Sequence, residues 1–209
     1  MIKTVIVEDN LTIQKYLSDM LLSDGRFEIT AVYRDAFEAE DLCRSGDIDL
    51  VLMDVQTLHN HSGLSVGEKI RNCGKARVVA VTSLVDPEVL ARAKKGASDS
   101  LWYKDHGSGE LLDVIDRTLA GERVFPDSSP NVELKQMFSD DISPRQMAVL
   151  RRFVRGMTYD EIAAELGISK SGVRKILETL MEKGGFENKY ELMIALVENK
   201  LIVTSLLDK

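Results

Sequence analysis

The sequence predicts an α/β domain on a five-stranded parallel sheet, followed by a small all-α domain. Two patterns carry this reading. Up to about residue 121, short β-branched apolar runs alternate with helical patterns five times over, and from residue 142 the pattern is helical throughout. Charge divides at the same places: residues 1–121 carry a net −6, residues 122–141 a net −3 and residues 142–209 a net +2, within an overall −7. An acidic front half and a mildly basic tail read as two domains with different partners.

In order, the strand runs are TVIVE, FEITAVY, DLVLMD, RVVAVT and SLWYK. The helical runs that follow them are LTIQKYLSDMLL, AFEAEDLCR, LSVGEKIR, PEVLARAKKG and ELLDVIDRTLA. VIV, LVLM and VVAV are almost continuously apolar, as strands covered on both faces must be. The sequence between the halves gathers Gly121, Pro126, Asp127, Ser128, Ser129, Pro130 and Asn131 and loses its apolar period. The expected organisation is therefore a domain at 1–121, a linker at 122–141 and a second domain at 142–209, with VELKQMF as an alternative short helix inside the linker.

Composition excludes several classes. With 44% hydrophobic and 29% charged residues the chain is neither fibrous nor largely disordered. No apolar run approaches the roughly 18 residues of a membrane span, and MIKTVIVEDN reaches its acidic residues before a signal-peptide core can form, so a cytosolic protein without a membrane partner is expected. Cys43 and Cys73 lack metal-ligand spacing and read as ordinary buried or half-buried thiols.

Parallel sheets of this kind bind ligands at the carboxyl ends of their strands. There the sequence places Glu8 and Asp9 after the first strand, Asp54 at the end of the third, Thr82 with Ser83 after the fourth and Lys104 after the fifth. Glu8, Asp9 and Asp54 together repel one another unless a cation or a proton intervenes, and carboxylate oxygens with water suit Mg²⁺. Lys104 can neutralise a phosphoryl group on Asp54, and the Thr82 hydroxyl can donate a hydrogen bond to it. Phosphoryl transfer asks a protein mainly for positioning and electrostatics, here with a carboxylate as nucleophile. An Asp after a strand is commonly just a turn residue, so the reading rests on the conjunction. A phosphatase of the haloacid-dehalogenase kind also uses a strand-end Asp with Mg²⁺, but it wants a second carboxylate two residues on, where Gln56 stands. His59 and His61 read as solvent-exposed loop residues, with a metal or proton-shuttle role as the alternative.

On these residues, positions 1 to about 121 resemble the receiver domain of a two-component response regulator. The resemblance implies a doubly wound sheet of order 2-1-3-4-5, with Asp54 as phosphoacceptor from a sensor histidine kinase. It implies Glu8, Asp9, Asp54 and the backbone carbonyl of Gln56 as the Mg²⁺ set, and Thr82 and Lys104 as the phosphoryl-sensing pair. Beyond slow hydrolysis of its own phosphoryl group, no enzyme activity is implied. The chain departs from the family at QTLHNHSGLS, which lacks the usual Met-Pro and has its glycine, Gly63, one residue late. It departs again at Leu101, three residues before the lysine, where the family has a rotating aromatic.

The tail reads as four helices. Ser143, Pro144 and Gln146 form a capping box with proline at the first helical position, Thr158 with Glu161 forms another, and Ser169 caps the third. Met147, Val149, Leu150 and Phe153, then Ile162, Ala163 and Leu166, then Val173, Ile176, Leu177 and Leu180 supply a buried stripe each. The short turn Gly167, Ile168, Ser169 makes the middle pair a helix-turn-helix whose second helix enters the major groove of double-stranded DNA. Lys170, Ser171, Arg174, Lys175 and Glu178 are left facing outward for phosphate or base contact. ISPRQMAVL, YDEIAAELGIS and SGVRKILETLMEKGGFENKYEL resemble the LuxR-type helix-turn-helix of NarL-like regulators. That resemblance puts Arg174, Lys175 and Glu178 on the base-reading face and a homodimer contact on the last helix.

The function expected is a regulator of transcription in which Mg²⁺-dependent phosphorylation of Asp54 controls dimerisation and DNA binding. The alternative is a DNA-binding regulator whose first domain is a phosphorylation-independent dimerisation or ligand module. A third possibility is an interaction protein whose basic helices bind another protein.

Overall fold

The computed structural model describes residues 1–74, 76–104 and 108–203, so the tail from residue 204 in the expected second domain lies outside the described residues. The chain divides into two compact units, Met1–Ser128 and Ser129–Lys209.

In the first unit β1 (Ile2–Val7), β2 (Phe27–Tyr33), β3 (Leu50–Asp54), β4 (Arg77–Thr82) and β5 (Ser100–Tyr103) form one sheet of order β2-β1-β3-β4-β5, every pairing parallel. The expected 2-1-3-4-5 order is observed. Helices α1 (Leu11–Asp24), α2 (Ala36–Ser45), α3 (Gly63–Cys73), α4 (Pro87–Arg92, continued by a π-type turn Ala93–Ala97) and α5 (Ser108–Leu119) follow the strands in turn.

Strand side chains alternate between two cores. Val5, Val7, Val51, Met53 and Val78 pack with Ala36, Ala39, Cys43, Val66 and Ile70 of α2 and α3. Ile6, Leu50, Leu52, Val79, Val81 and Trp102 pack on the other face with Leu17, Leu21, Leu111 and Ile115 of α1 and α5. Each large side chain so buried contributes roughly 1.5–3 kcal/mol, and a slip of one residue would exchange the two sets. That fixes the register, and with it the residues found at the strand ends.

Several local signals act as the residues predict. Asn10 caps α1 by accepting from the Thr12 and Ile13 amides, and Asp35 caps α2 by accepting from Phe37 N at 2.9 Å. The thiols divide differently from expectation. Cys43 is buried, which pushes its thiol up to about 12, whereas Cys73 is exposed because the last turn of α3, although Cys73 continues the face of Val66 and Ile70, is no longer covered.

In the second unit α6 (Pro144–Val154), α7 (Tyr159–Leu166), α8 (Lys170–Gly184) and α9 (Lys189–Glu198) are the four expected helices. Both capping boxes form, and Ser169 accepts from Gly172 N at 3.0 Å. The apolar stripes are buried, with Leu166 and Ile176 half-buried at the margins. VELKQMF is not a helix: Glu133–Leu134 and Met137–Phe138 pair as antiparallel strands β6 and β7 around Lys135 at φ +56°. The hairpin lets Leu134 and Met137 bury together, and Gln136 N donates to Gly184 O at the end of α8. Among the described residues no helix is long and apolar enough to cross a membrane.

Gly63 is fixed by close approach. A Cβ there would lie 1.8 Å from the Asp54 carbonyl oxygen and 2.9 Å from Met53 Cγ. Gly63→Ala is expected to destabilise the first unit by about 1–3 kcal/mol, read by urea unfolding; an unchanged midpoint would contradict this packing.

Candidate functional site

The parallel register delivers five side chains, three carboxylates, a hydroxyl and an ammonium, to one end of the sheet. Residues 54 and 81 are paired across β3 and β4, and 82 with 103 across β4 and β5, which sets Asp54, Thr82 and Lys104 on successive strands. Glu8 and Asp9 leave β1 beside them, the Glu8 amide donating to Tyr33 O and the Asp9 carbonyl accepting from Arg34 Nε.

Glu8, Asp9 and Asp54 each offer a carboxylate oxygen within 4.8 Å of the others. Lys104 Nζ bridges two of them, 2.6 Å from Glu8 Oε2 and 2.8 Å from Asp54 Oδ2. Glu8 Oε1 accepts from Asn10 N at 3.1 Å, and Asp54 Oδ1 lies at the limit of a bond from Gln56 N, 3.4 Å. Glu8, Asp54 and Thr82 are buried, and Asp9 is half-exposed at the mouth.

One ammonium among three carboxylates leaves the site short of positive charge. Burial pushes Asp54 up to about 7, the pull of Lys104 opposing this and the neighbouring Glu8 charge adding to it. Burial alone would depress the Lys104 ammonium, but Asp54 and Glu8 outweigh it and raise its pKa, so the lysine is charged. All the donors are hard oxygens, with one member open to solvent, and this set fits Mg²⁺.

Thr82 Oγ1 accepts from Leu84 N at 3.0 Å, tying the hydroxyl to the loop that leads into α4. Gln56 follows Asp54 closely and pairs with Ser62 in an isolated antiparallel bridge that closes the loop before α3. Leu101 is buried in β5, followed by buried Trp102 and Tyr103.

The loop histidines differ from expectation. His59 is exposed, but His61 is half-buried, and both turn their Nδ1 atoms to Asp35, 3.1 Å and 2.8 Å away. Asp35 was beyond the reach of sequence reasoning. Its only local signal is that of an N-cap, and its nearness to the loop arises from the β2-β1-β3 order together with the bonds that join the β2–α2 turn to the β3–α3 loop, Leu58 N to Arg34 O and Ala36 N to Thr57 Oγ1.

In the second unit, α7 and α8 flank a turn in which Gly167 takes φ +62° and Ile168 N donates to Ala163 O. Lys170, Ser171, Arg174, Lys175 and Glu178 are all exposed on α8. Lys170 pairs with Asp160 of α7 at 2.7 Å, and Ser171 Oγ lies 2.9 Å from Ser169 Oγ. The pairing draws Lys170 toward the start of α7.

With this geometry in place, comparison with known proteins is specific. Residues 4–116 match the response regulator receiver domain, and residues 140–196 match the bacterial regulatory proteins of the luxR family. The chain is 25% identical over 207 residues to the nitrate/nitrite response regulator protein NarP of Escherichia coli (strain K12), with 95% of each covered. It is 26% identical over 193 residues to the uncharacterized transcriptional regulatory protein YvfU of Bacillus subtilis (strain 168), covering 91% of this chain and 94% of that one. A solved structure of RcsB from Salmonella enterica serovar Typhimurium, bound to promoter rprA in the presence of phosphomimetic BeF3−, shares the fold. Its TM-score is 0.61 at 18% identity, over 94% of this chain and 98% of that chain. The chain belongs to the response regulators, with a receiver domain and a luxR-family DNA-binding domain through which such proteins regulate transcription.

Proposed function

We propose that the receiver, residues 1–121, takes a phosphoryl group on Asp54 from a sensor histidine kinase, and that this controls dimerisation and DNA binding by residues 142–209 through the joint at 122–141. The observation that carries the reading is the Lys104 ammonium held against both Glu8 and Asp54 at the mouth of an acidic cluster. An Asp54 oxygen attacks phosphorus in line, the bond from phosphorus to the kinase imidazole breaks, and an acyl phosphate forms on Asp54. Glu8, Asp9, Asp54 and the Gln56 carbonyl are the groups proposed to hold Mg²⁺. When bound, the ion supplies charge neutralisation on the phosphoryl oxygens. Lys104 meets another phosphoryl oxygen with its charge. The Thr82 hydroxyl, by donating to the phosphoryl group, brings with it the Leu84 amide it now accepts from. Phosphorylation is thereby read out through the segment that enters α4, without a swinging aromatic, since Leu101 has no polar tip to exchange between core and solvent.

For the second domain we propose that α8 enters the major groove of double-stranded DNA. Arg174 and Lys175 contact base edges or phosphates, Lys170 and Ser171 lie at the phosphate-facing N-terminus of the helix, and Glu178 accepts from a base or tunes specificity. The RcsB structure bound to promoter rprA supports this docking by analogy. A homodimer on a two-fold-related site converts two weak contacts into one tight event.

Four outcomes are expected. Acetyl phosphate with Mg²⁺ should give a shifted band on phosphate-affinity gels for the wild type and none for Asp54→Ala; a shift persisting in the variant rules out Asp54 as acceptor. Mg²⁺ should raise the thermal midpoint of the wild type measurably and that of Glu8→Gln much less, which differential scanning fluorimetry reads directly. Arg174→Ala should weaken specific DNA binding by about 1–3 kcal/mol, and Lys175→Ala should flatten the salt dependence if it meets a phosphate. Equal DNA affinity and equal mass in solution for phosphorylated wild type and Asp54→Ala would instead favour the phosphorylation-independent receiver.

A further inference from the structure

Away from the acidic site, the first unit brings together a second group of metal-ligating atoms. Asp35, His59 and His61 each offer one such atom within 4.8 Å of the others. His61 Nδ1 lies 2.8 Å from both Asp35 oxygens, and His59 Nδ1 lies 3.1 Å from Asp35 Oδ2. Both imidazoles therefore present the same nitrogen to one carboxylate.

The carboxylate is set before any cation arrives. Asp35 is 6% exposed, and its Oδ1 is fixed by the Phe37 amide at the start of α2. Burial would raise its pKa, but His61, the Phe37 amide and His59 together hold it below the ordinary carboxylate value, so it is ionised at neutral pH. The histidine loop is tied to the same turn: Leu58 N donates to Arg34 O at 3.0 Å, and Ala36 N donates to Thr57 Oγ1 at 3.1 Å. Thr57 N and Thr57 Oγ1 both donate to His61 O, which fixes the backbone of that ligand. The His61 ring is further held against Phe37, with centroids 4.1 Å apart. His59 takes φ +60° and Asn60 φ +58°. Such left-handed backbone is uncommon outside glycine, though Asn and His adopt it more readily than most residues, and it turns the chain back so that residues 59 and 61 can share one carboxylate.

The donor set decides the cation. Two imidazole nitrogens and one carboxylate suit Zn²⁺ and related late first-row divalent ions, whereas Mg²⁺ prefers oxygen alone. Three protein ligands with a remaining position open to water is a recognised Zn²⁺ arrangement, and the His59 side chain is 68% exposed, so the open side faces solvent.

We propose that Asp35, His59 and His61 form a Zn²⁺-class binding site, separate from the acidic site at Asp54. The cation takes the place of any proton between each Nδ1 and the carboxylate: from a neutral ring that proton moves through solvent to Nε2, and from an imidazolium it is released to water. Each imidazole then carries its proton on Nε2 and binds through the Nδ1 lone pair.

The test uses the full chain with Cys73→Ser, which removes the exposed thiol as a competing ligand, stripped of metal and kept in millimolar Mg²⁺ to occupy the acidic site. Titration calorimetry with Zn²⁺ should show a saturable site. His59→Ala and His61→Ala, made separately in that background, should each weaken it by about tenfold or more. Co²⁺ should give weak visible d–d absorption lost in both variants. Both are loop substitutions, and retained circular dichroism and Asp54 labelling verify the fold. Absence of Zn²⁺ uptake, or an affinity unchanged in the two folded variants, overturns the proposal.

Discussion

Covering a parallel sheet with helices on both faces leaves its central strands no polar side, so charged groups can enter only where the strands stop. In this chain the constraint is met by two interleaved sets of apolar residues, Val5, Val7, Val51 and Met53 toward one face and Ile6, Leu50, Leu52 and Val79 toward the other. Once they fix the register, Glu8, Asp54, Thr82 and Lys104 have nowhere to be except together. The Lys104 ammonium then holds at least part of the acidic cluster in place despite its self-repulsion, because a lysine clamped by two buried carboxylates is itself kept charged. Packing thus precedes electrostatics, and electrostatics prepares the chemistry.

Much of this was legible in the residues. Apolar runs of the right length marked every strand of the sheet, and the acidic pair, the lone Asp, the hydroxyl and the lysine could be read as strand-end residues because each follows such a run. Caps at Ser143 and Thr158 were equally plain, since a hydroxyl before a helix with a Gln or Glu three residues on is a local signal, and Ser169 directly before its helix was the simpler case of a lone capping hydroxyl. Less legible was whatever depends on contacts distant in sequence. The hairpin at Glu133–Phe138 reads locally as a helix or a coil, and its strands are fixed by burying Leu134 and Met137 and by the end of α8. Asp35 meeting His59 and His61 belongs to the same kind, since neither turn carries any mark of the other.

The two units also use charge differently. At the strand-end site of the receiver, charge is concentrated and buried, where Coulomb interactions are least screened. In the DNA-binding unit, charge is spread over the exposed face of α8, where water and salt screen each residue. The overall −7 of the chain conceals this division, and only its distribution along the sequence gives it a meaning.

The bridge between Gln56 and Ser62 gives the loop after Asp54 a neck and a tip. Below the neck, Gly63 presses on the Asp54 carbonyl with no room for even a methyl group, so that end is inelastic. Above it, the turn at Leu58–Asn60 takes up length through its two left-handed residues. The tip is not isolated from the neck, since Gln56 Nε2 donates to Asn60 Oδ1 at 3.3 Å, but the Gly63 contact with the Asp54 carbonyl lies below both. The loop thus places its two imidazoles at the surface while its rigid end holds the backbone beside Asp54.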